Sequence, residues 1–109
     1  MTDAAPEVVS EEHPLRMRTR SGELEITGHE VRLPGPHQDP ICLAPGPLAL
    51  MRVLVKARGA VLSRDHLLAV LPHCGSEHAL EMWVSRLRRS LPDPRIVRTV
   101  VKRGYRLVL

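Results

Sequence analysis

The stretch from Arg86 to Arg106 holds eight of the chain's 16 basic residues, and Asp93 is the only acid among them. Fourteen of the 16 are Arg. Guanidinium groups at this density suit a polyanion. The regularly spaced phosphates of a duplex let cations on two adjacent elements neutralise several charges at once, and counterion release then drives binding. A solvated face kept for solubility is the plainer reading of any single charge run. Here the cations divide between a helix and the hairpin beside it, and that placement favours nucleic acid.

Other chemistry is thinner. His37, Cys42, His73, Cys74 and His78 are metal-ligand types, but H-C-x3-H is not a zinc spacing and no CxxC occurs, so no metal site is expected. No GxSxG, P-loop or HExxH is present. Ser63 and His66 stand close together, which a helix N-cap and its first turn explain. Neither an enzyme nor a cofactor is expected. The two cysteines make no disulfide framework, and without a signal peptide they read as free thiols in a reducing cytoplasm. No apolar run approaches the roughly 20 residues of a membrane span.

Elements must position these cations. The chain's 109 residues suit one domain. Phe is absent, so the core falls to Leu, Val, Ile, Met and Ala. Residues 1–14 carry Asp3, Glu7, Glu11 and Glu12 with no Lys or Arg, and read as a disordered acidic tail. The net charge is +4, so the body beyond the tail carries +8. From Leu15 the pattern alternates. Leu15, Met17 and Thr19 share one face of a strand; Leu24–Thr27, Glu30–Leu33 and Ile41–Leu43 complete a small antiparallel meander.

The period then changes. "APGPLALMRVLVKARG" places Pro47 at a first helical position and Gly59 at the stop. "VLSRDHLLAVLP" gives a second helix, with Ser63 as N-cap, Asp65 in the first turn and Pro72 at the end. A third helix spans about 76–91. At about 100° per residue, Leu80, Val84, Leu87 and Leu91 fall on one arc as its core face. The opposite face carries His78, Met82, Ser85, Arg86 and Arg89. Glu81 and Arg88 lie on one flank and Trp83 on the other. Two strands, Ile96–Lys102 and Tyr105–Leu109, finish the chain, with Arg103-Gly104 as a tight two-residue turn. Two helices in close succession followed by a hairpin resemble a helix-turn-helix with a wing.

"LSRDHLL", "ALEMWVSRLRRSL" and "IVRTVVKRGYRL" resemble the winged-helix DNA-binding (effector) domain of the OmpR/PhoB response regulators. That family reads S-R-E-x-L, then V-D-x-H-I-x-x-L-R-x-K-L, then T-V-R-G-x-G-Y. The resemblance covers about residues 15–109. "TVVKRGYRL", with "EHALEM" upstream, is similar to a narrower group fused behind uroporphyrinogen-III synthase-like domains in actinobacteria. The implied fold is α+β: a winged helix-turn-helix with an N-terminal four-stranded antiparallel sheet, three helices and a C-terminal β-hairpin wing.

Four departures stand out. No receiver domain is present, so no phosphorylation switch is expected. "LAPGPL" replaces L-T-P-x-E-F, with Ala44, Pro47 and Leu48 at the Thr, Glu and Phe positions. The turn between the second and third helices, which in the family can contact RNA polymerase, is short. Val101 and Lys102 stand where the wing has Arg-Gly, and Ser90 replaces a basic residue.

The resemblance implies a sequence-specific, double-stranded DNA-binding transcriptional regulator of bacterial, cytoplasmic type. Its third helix would lie in the major groove, with the wing at 96–109 on adjacent phosphates or in the minor groove. His78, Met82, Ser85, Arg86 and Arg89 then face base edges. Arg86 matches a basic family position and can bond guanine O6 and N7 together. Glu81, at an acidic family position, accepts from cytosine N4 or orients an Arg. Arg88, Thr99 and Tyr105 match positions that contact phosphate, and Lys102 and Arg103 carry charge near the wing tip. Arg88 reads equally as one half of a structural ion pair with an acid, and Tyr105 as a core aromatic. Met82 fits a thymine methyl or a contact outside this chain. A head-to-tail homodimer on DNA and a polymerase contact are further implied partners. The competing reading is a protein-interaction module that has lost DNA binding and docks or regulates a partner protein.

Overall fold

Alternation along the first strands sorts the side chains as the period requires. Met17, Leu24, Ile26 and Val31 are buried, while Arg16, Arg18 and Glu23 stay in water. In the computed structural model, which describes residues 14–36 and 39–109, these strands are β1 (Leu15–Thr19), β2 (Gly22–Thr27), β3 (Glu30–Arg32) and β4 (Ile41–Cys42). They form an antiparallel meander in sequence order, with Met17 opposite Leu24, Ile26 opposite Val31, and Val31 opposite Ile41. The acidic tail expected over 1–14 falls, except for Pro14, outside the described residues, as does His37.

Helix α1 (Pro45–Lys56) follows at once. It starts two residues before the expected position. Ala44 is the N-cap, without a side-chain capping bond, and the first intrahelical bond runs from the Leu48 N–H to the Ala44 carbonyl at 2.9 Å. Pro45 and Pro47 both sit in the first turn, where N–H groups lack helical partners. Two prolines there delete two orphan donors, so either fits a helix start and the sequence alone does not choose. The helix ends at Lys56, and the chain leaves through Arg58 and Gly59 at φ of 53° and 91°. The Gly59 stop was expected; the left-handed Arg58 before it was not.

Helix α2 (Arg64–Val70) has its Ser63 oxygen accepting from the His66 N–H at 3.0 Å, with Asp65 in the first turn. Helix α3 (Glu77–Ser90) has Ser76 accepting from the Ala79 N–H at 3.1 Å, and ends ahead of Pro92. The Ser63 cap matches the sequence reading, and Ser76 caps the helix expected over about 76–91. Ser76→Ala is expected to cost about 1 kcal/mol, read as a lower urea midpoint with an unchanged slope.

The core lies where α1 packs on α3 and on the sheet. Leu50, Met51, Leu54, Leu80 and Leu87 are fully buried there. Trp83 seats α3 against the start of α1: a Cβ at Gly46 would stand 2.6 Å from Trp83 Cε2. Tyr105 joins this core, which is therefore not purely aliphatic.

The terminal hairpin differs from expectation. A 3-10 turn, Pro94–Ile96, takes Ile96 out of the strand, and β5 (Val97–Val100) pairs with β6 (Gly104–Leu107). Val100 faces Gly104 across the pair, so the loop is Val101–Lys102–Arg103 rather than Arg103-Gly104. Lys102 takes the left-handed conformation, φ 63°, and the Arg103 N–H closes the turn on the Val100 carbonyl at 2.8 Å. Gly104 serves another purpose. Leu62 and Tyr105 exchange backbone hydrogen bonds of 2.8 and 2.9 Å. A side chain at Gly104 would run into the Leu62 carbonyl, and φ there is 140°. The glycine lets β6 approach the segment ahead of α2; it does not make the turn. Among the described residues, no helix is long and apolar enough to cross a membrane.

Candidate nucleic-acid interface

The core face of α3 decides what its other face can do. Leu80, Val84, Leu87 and Leu91 are buried as the periodicity requires, which turns His78, Glu81, Met82, Ser85, Arg86 and Arg89 into water. Met82 keeps 41% of its surface exposed, so nothing within the described chain covers it. Arg89 donates through Nη2 to the Ser85 hydroxyl at 3.3 Å, and the Ser90 hydroxyl donates to the Arg86 carbonyl at 3.1 Å. Among the described residues, neither Arg86 nor Arg89 is paired with an acid.

Arg88 has a different position. Its Nε donates to the Val97 carbonyl at 3.0 Å and its Nη2 to the Thr99 hydroxyl at 2.7 Å. Its partners are a backbone oxygen and a hydroxyl, not the acid of the alternative ion-pair reading. Arg88 thus ties α3 to β5 while keeping its positive charge unneutralised.

Tyr105 is 3% exposed and packs in the core while its ring borders the groove described below. Arg64 Cζ lies 5.3 Å from its ring centroid and Arg88 Cζ 6.0 Å. Each guanidinium gains from the ring's electron-rich face. Sequence reasoning missed Arg64. It was visible only as the third residue of "LSRDHLL"; its place beside Tyr105 depends on the Leu62–Tyr105 bridge, which no local pattern announces.

These groups surround one open groove of about 530 Å³, with Arg64, Glu81, Ser85, Arg88, Arg89 and Thr99 around Tyr105. The groove thus joins α2, α3 and β5, with three arginines against one glutamate. Lys102 and Arg103 are exposed on the wing loop away from it, beside Val101 at 76% exposure.

Asp93, the one acid in the basic stretch, does not offset these charges. Its carboxylate accepts from Arg95 Nε at 3.1 Å and Nη2 at 3.2 Å. Those bonds, with a backbone bond from the Arg95 N–H, hold its carboxyl below the usual range and raise Arg95 in turn. Cys74 is buried, and desolvation pushes its thiol up, against a thiolate ligand or nucleophile. Among the described residues, no three of His, Cys, Asp and Glu gather into a metal-binding group.

Residues 38–107 match the family described as "Transcriptional regulatory protein, C terminal". The chain belongs to that family. No curated protein is similar enough in sequence to count as a match. Solved structures agree on the fold of this family member. The DNA-binding domain of E. coli CpxR has a TM-score of 0.66 at 25% identity, covering 86% of this chain and 96% of that one. The Klebsiella pneumoniae RstA DNA-binding domain, in complex with the RstA box, gives 0.64 at 24% identity, covering 85% and 96%. The DNA-binding domain of the response regulator AdeR, in complex with an intercistronic region, gives 0.64 at 20%, covering 74% and 87%. The fold of all three is the winged helix described above.

Proposed function

We propose that α3 lies in the major groove of duplex DNA while the wing loop rests on neighbouring phosphates. The chain is a sequence-specific DNA-binding transcriptional regulator. The observation that carries the placement is the exposed face of α3, where Arg86 and Arg89 have no acidic partner among the described residues, next to a groove lined by Arg64 and Arg88. In this reading Arg86 reads guanine, His78, Met82 and Ser85 face the remaining bases, and Glu81 accepts from cytosine or orients Arg89. Arg64 and Arg88, held against Tyr105, meet backbone phosphate, with the Thr99 hydroxyl beside them. Selection from random duplexes tests it: a consensus should be enriched, and recovery of unrelated sequences alone would defeat the reading.

Lys102 and Arg103 project from a three-residue loop with no partner side chain among the described residues. They suit phosphate, not base edges. Lys102→Ala should weaken binding to all duplexes alike and lower the salt slope by about one. A changed base preference would count against this assignment.

Further parts of the proposal rest on the resemblance. They are a head-to-tail pair on DNA, a polymerase contact through the short turn between α2 and α3, a cytoplasmic location, and kinship with the group fused to uroporphyrinogen-III synthase-like proteins. Residues 15–109 are the proposed domain. Sedimentation of the chain on duplexes with one and two half-sites tests the pair, which predicts cooperative loading of the second site.

A further inference from the structure

The wing has a second face, and it is also cationic. Alternation puts Thr99 and Tyr105 toward α3 and turns Arg98 and Arg106 the other way. These two arginines stand directly opposite each other in the register of β5 and β6. Like charges at facing positions are destabilising. Arg106 adds a second anomaly: its Nε is buried and has no hydrogen-bond partner, the only such side-chain atom among the described residues. An unmet buried donor on a charged group carries a cost larger than that of a neutral one.

We infer that this back face of the wing holds an oxyanion site, in which Arg20, Arg58 and Arg106 bind a phosphate-type group. The three line one pocket of about 290 Å³, between the end of β1, the exit of α1 and strand β6. Met17, Gly59 and Leu107 form part of its wall, and among the described residues no Asp or Glu side chain lines it. The chain leaves α1 through Arg58 in the left-handed conformation, and the Arg106 guanidinium runs past Gly59. Guanidinium forks match the geometry of a tetrahedral oxyanion, which accepts from several at once. Such an anion meets Arg106 through its terminal guanidinium nitrogens, since Nε is buried, and screens Arg106 from Arg98. The site shares no lining residue with the groove around Tyr105.

The group could be a backbone phosphate of a duplex that reaches round the wing, or a free phosphate-bearing anion. The test uses the full chain and inorganic phosphate at constant ionic strength, following the Arg106 Nε–H signal by NMR. The expected result is a saturating shift, with affinity about tenfold weaker in Arg58→Gln and in Arg20→Gln. Both residues are exposed, so the variants should keep the fold. Duplex titrations of the same variants identify the source. A salt slope lowered by about one in each indicates a backbone phosphate; unchanged duplex binding alongside weakened phosphate binding indicates a free anion. A shift that rises linearly and equals that of chloride, or variants that bind phosphate as tightly as the parent, would overturn the site.

Discussion

Gly104→Ala should be the most damaging single-methyl change in this chain, costing about 3 kcal/mol or more. Two effects add. The backbone there has φ of 140°, a region that L side chains rarely adopt. The new Cβ would also meet backbone, not a yielding side chain: the Leu62 carbonyl, with Leu62 C at 2.7 Å and Ser63 Cα at 2.9 Å. Relief requires β6 to withdraw from Leu62, which breaks the paired hydrogen bonds with Tyr105 and draws the ring away from Arg64 and Arg88. Stability and the groove should therefore fail together. Urea unfolding measures the loss, with Gly75→Ala as control, since nothing lies within 4 Å of a Cβ there and its φ is not positive. Equal midpoints for the two variants would refute this account of Gly104.

Arg86→Ala should do the reverse, leaving stability within about 0.5 kcal/mol and removing selectivity. Its side chain is exposed and pairs with no acid among the described residues, so the fold loses little. If it bonds guanine through both O6 and N7, the loss is about 1–3 kcal/mol of discrimination at one base pair. That corresponds to roughly five- to 150-fold in preference. Arg88→Ala provides the contrast. It removes the two hydrogen bonds that tie α3 to β5, so it should lower the unfolding midpoint as well as binding. Competition between duplexes that differ at one position, run beside thermal melts, separates the two arginines. A specificity loss shared equally by both would sink the division of roles.

The sequence was legible wherever one element's own period or cap decides the outcome. Leu80, Val84, Leu87 and Leu91 identify the buried side of α3 unaided, and that fixes Arg86 and Arg89 as exposed. Ser63 marks a helix start because a capping oxygen needs only the N–H three residues on. Illegible features depend on partners distant along the chain. Gly104 looks like a turn residue until Leu62 is seen against it. Arg64 looks like an ordinary first-turn cation until Tyr105 lies beneath it. Arg88 was open between a phosphate contact and an acid partner, and β5 supplied a carbonyl and a hydroxyl instead. Pro45 and Pro47 were indistinguishable as helix starts because both satisfy the same local requirement.

The central claim is that the exposed basic face of α3 engages duplex phosphates and bases. Titration of the chain with mixed-sequence duplex over a range of salt tests it most directly, alongside an Arg86→Ala/Arg89→Ala variant of equal melting temperature. Affinity should fall linearly on a log–log plot, with a slope shallower by about two in the variant. No binding by the parent chain at low salt, or the same affinity and slope for both proteins, would contradict it.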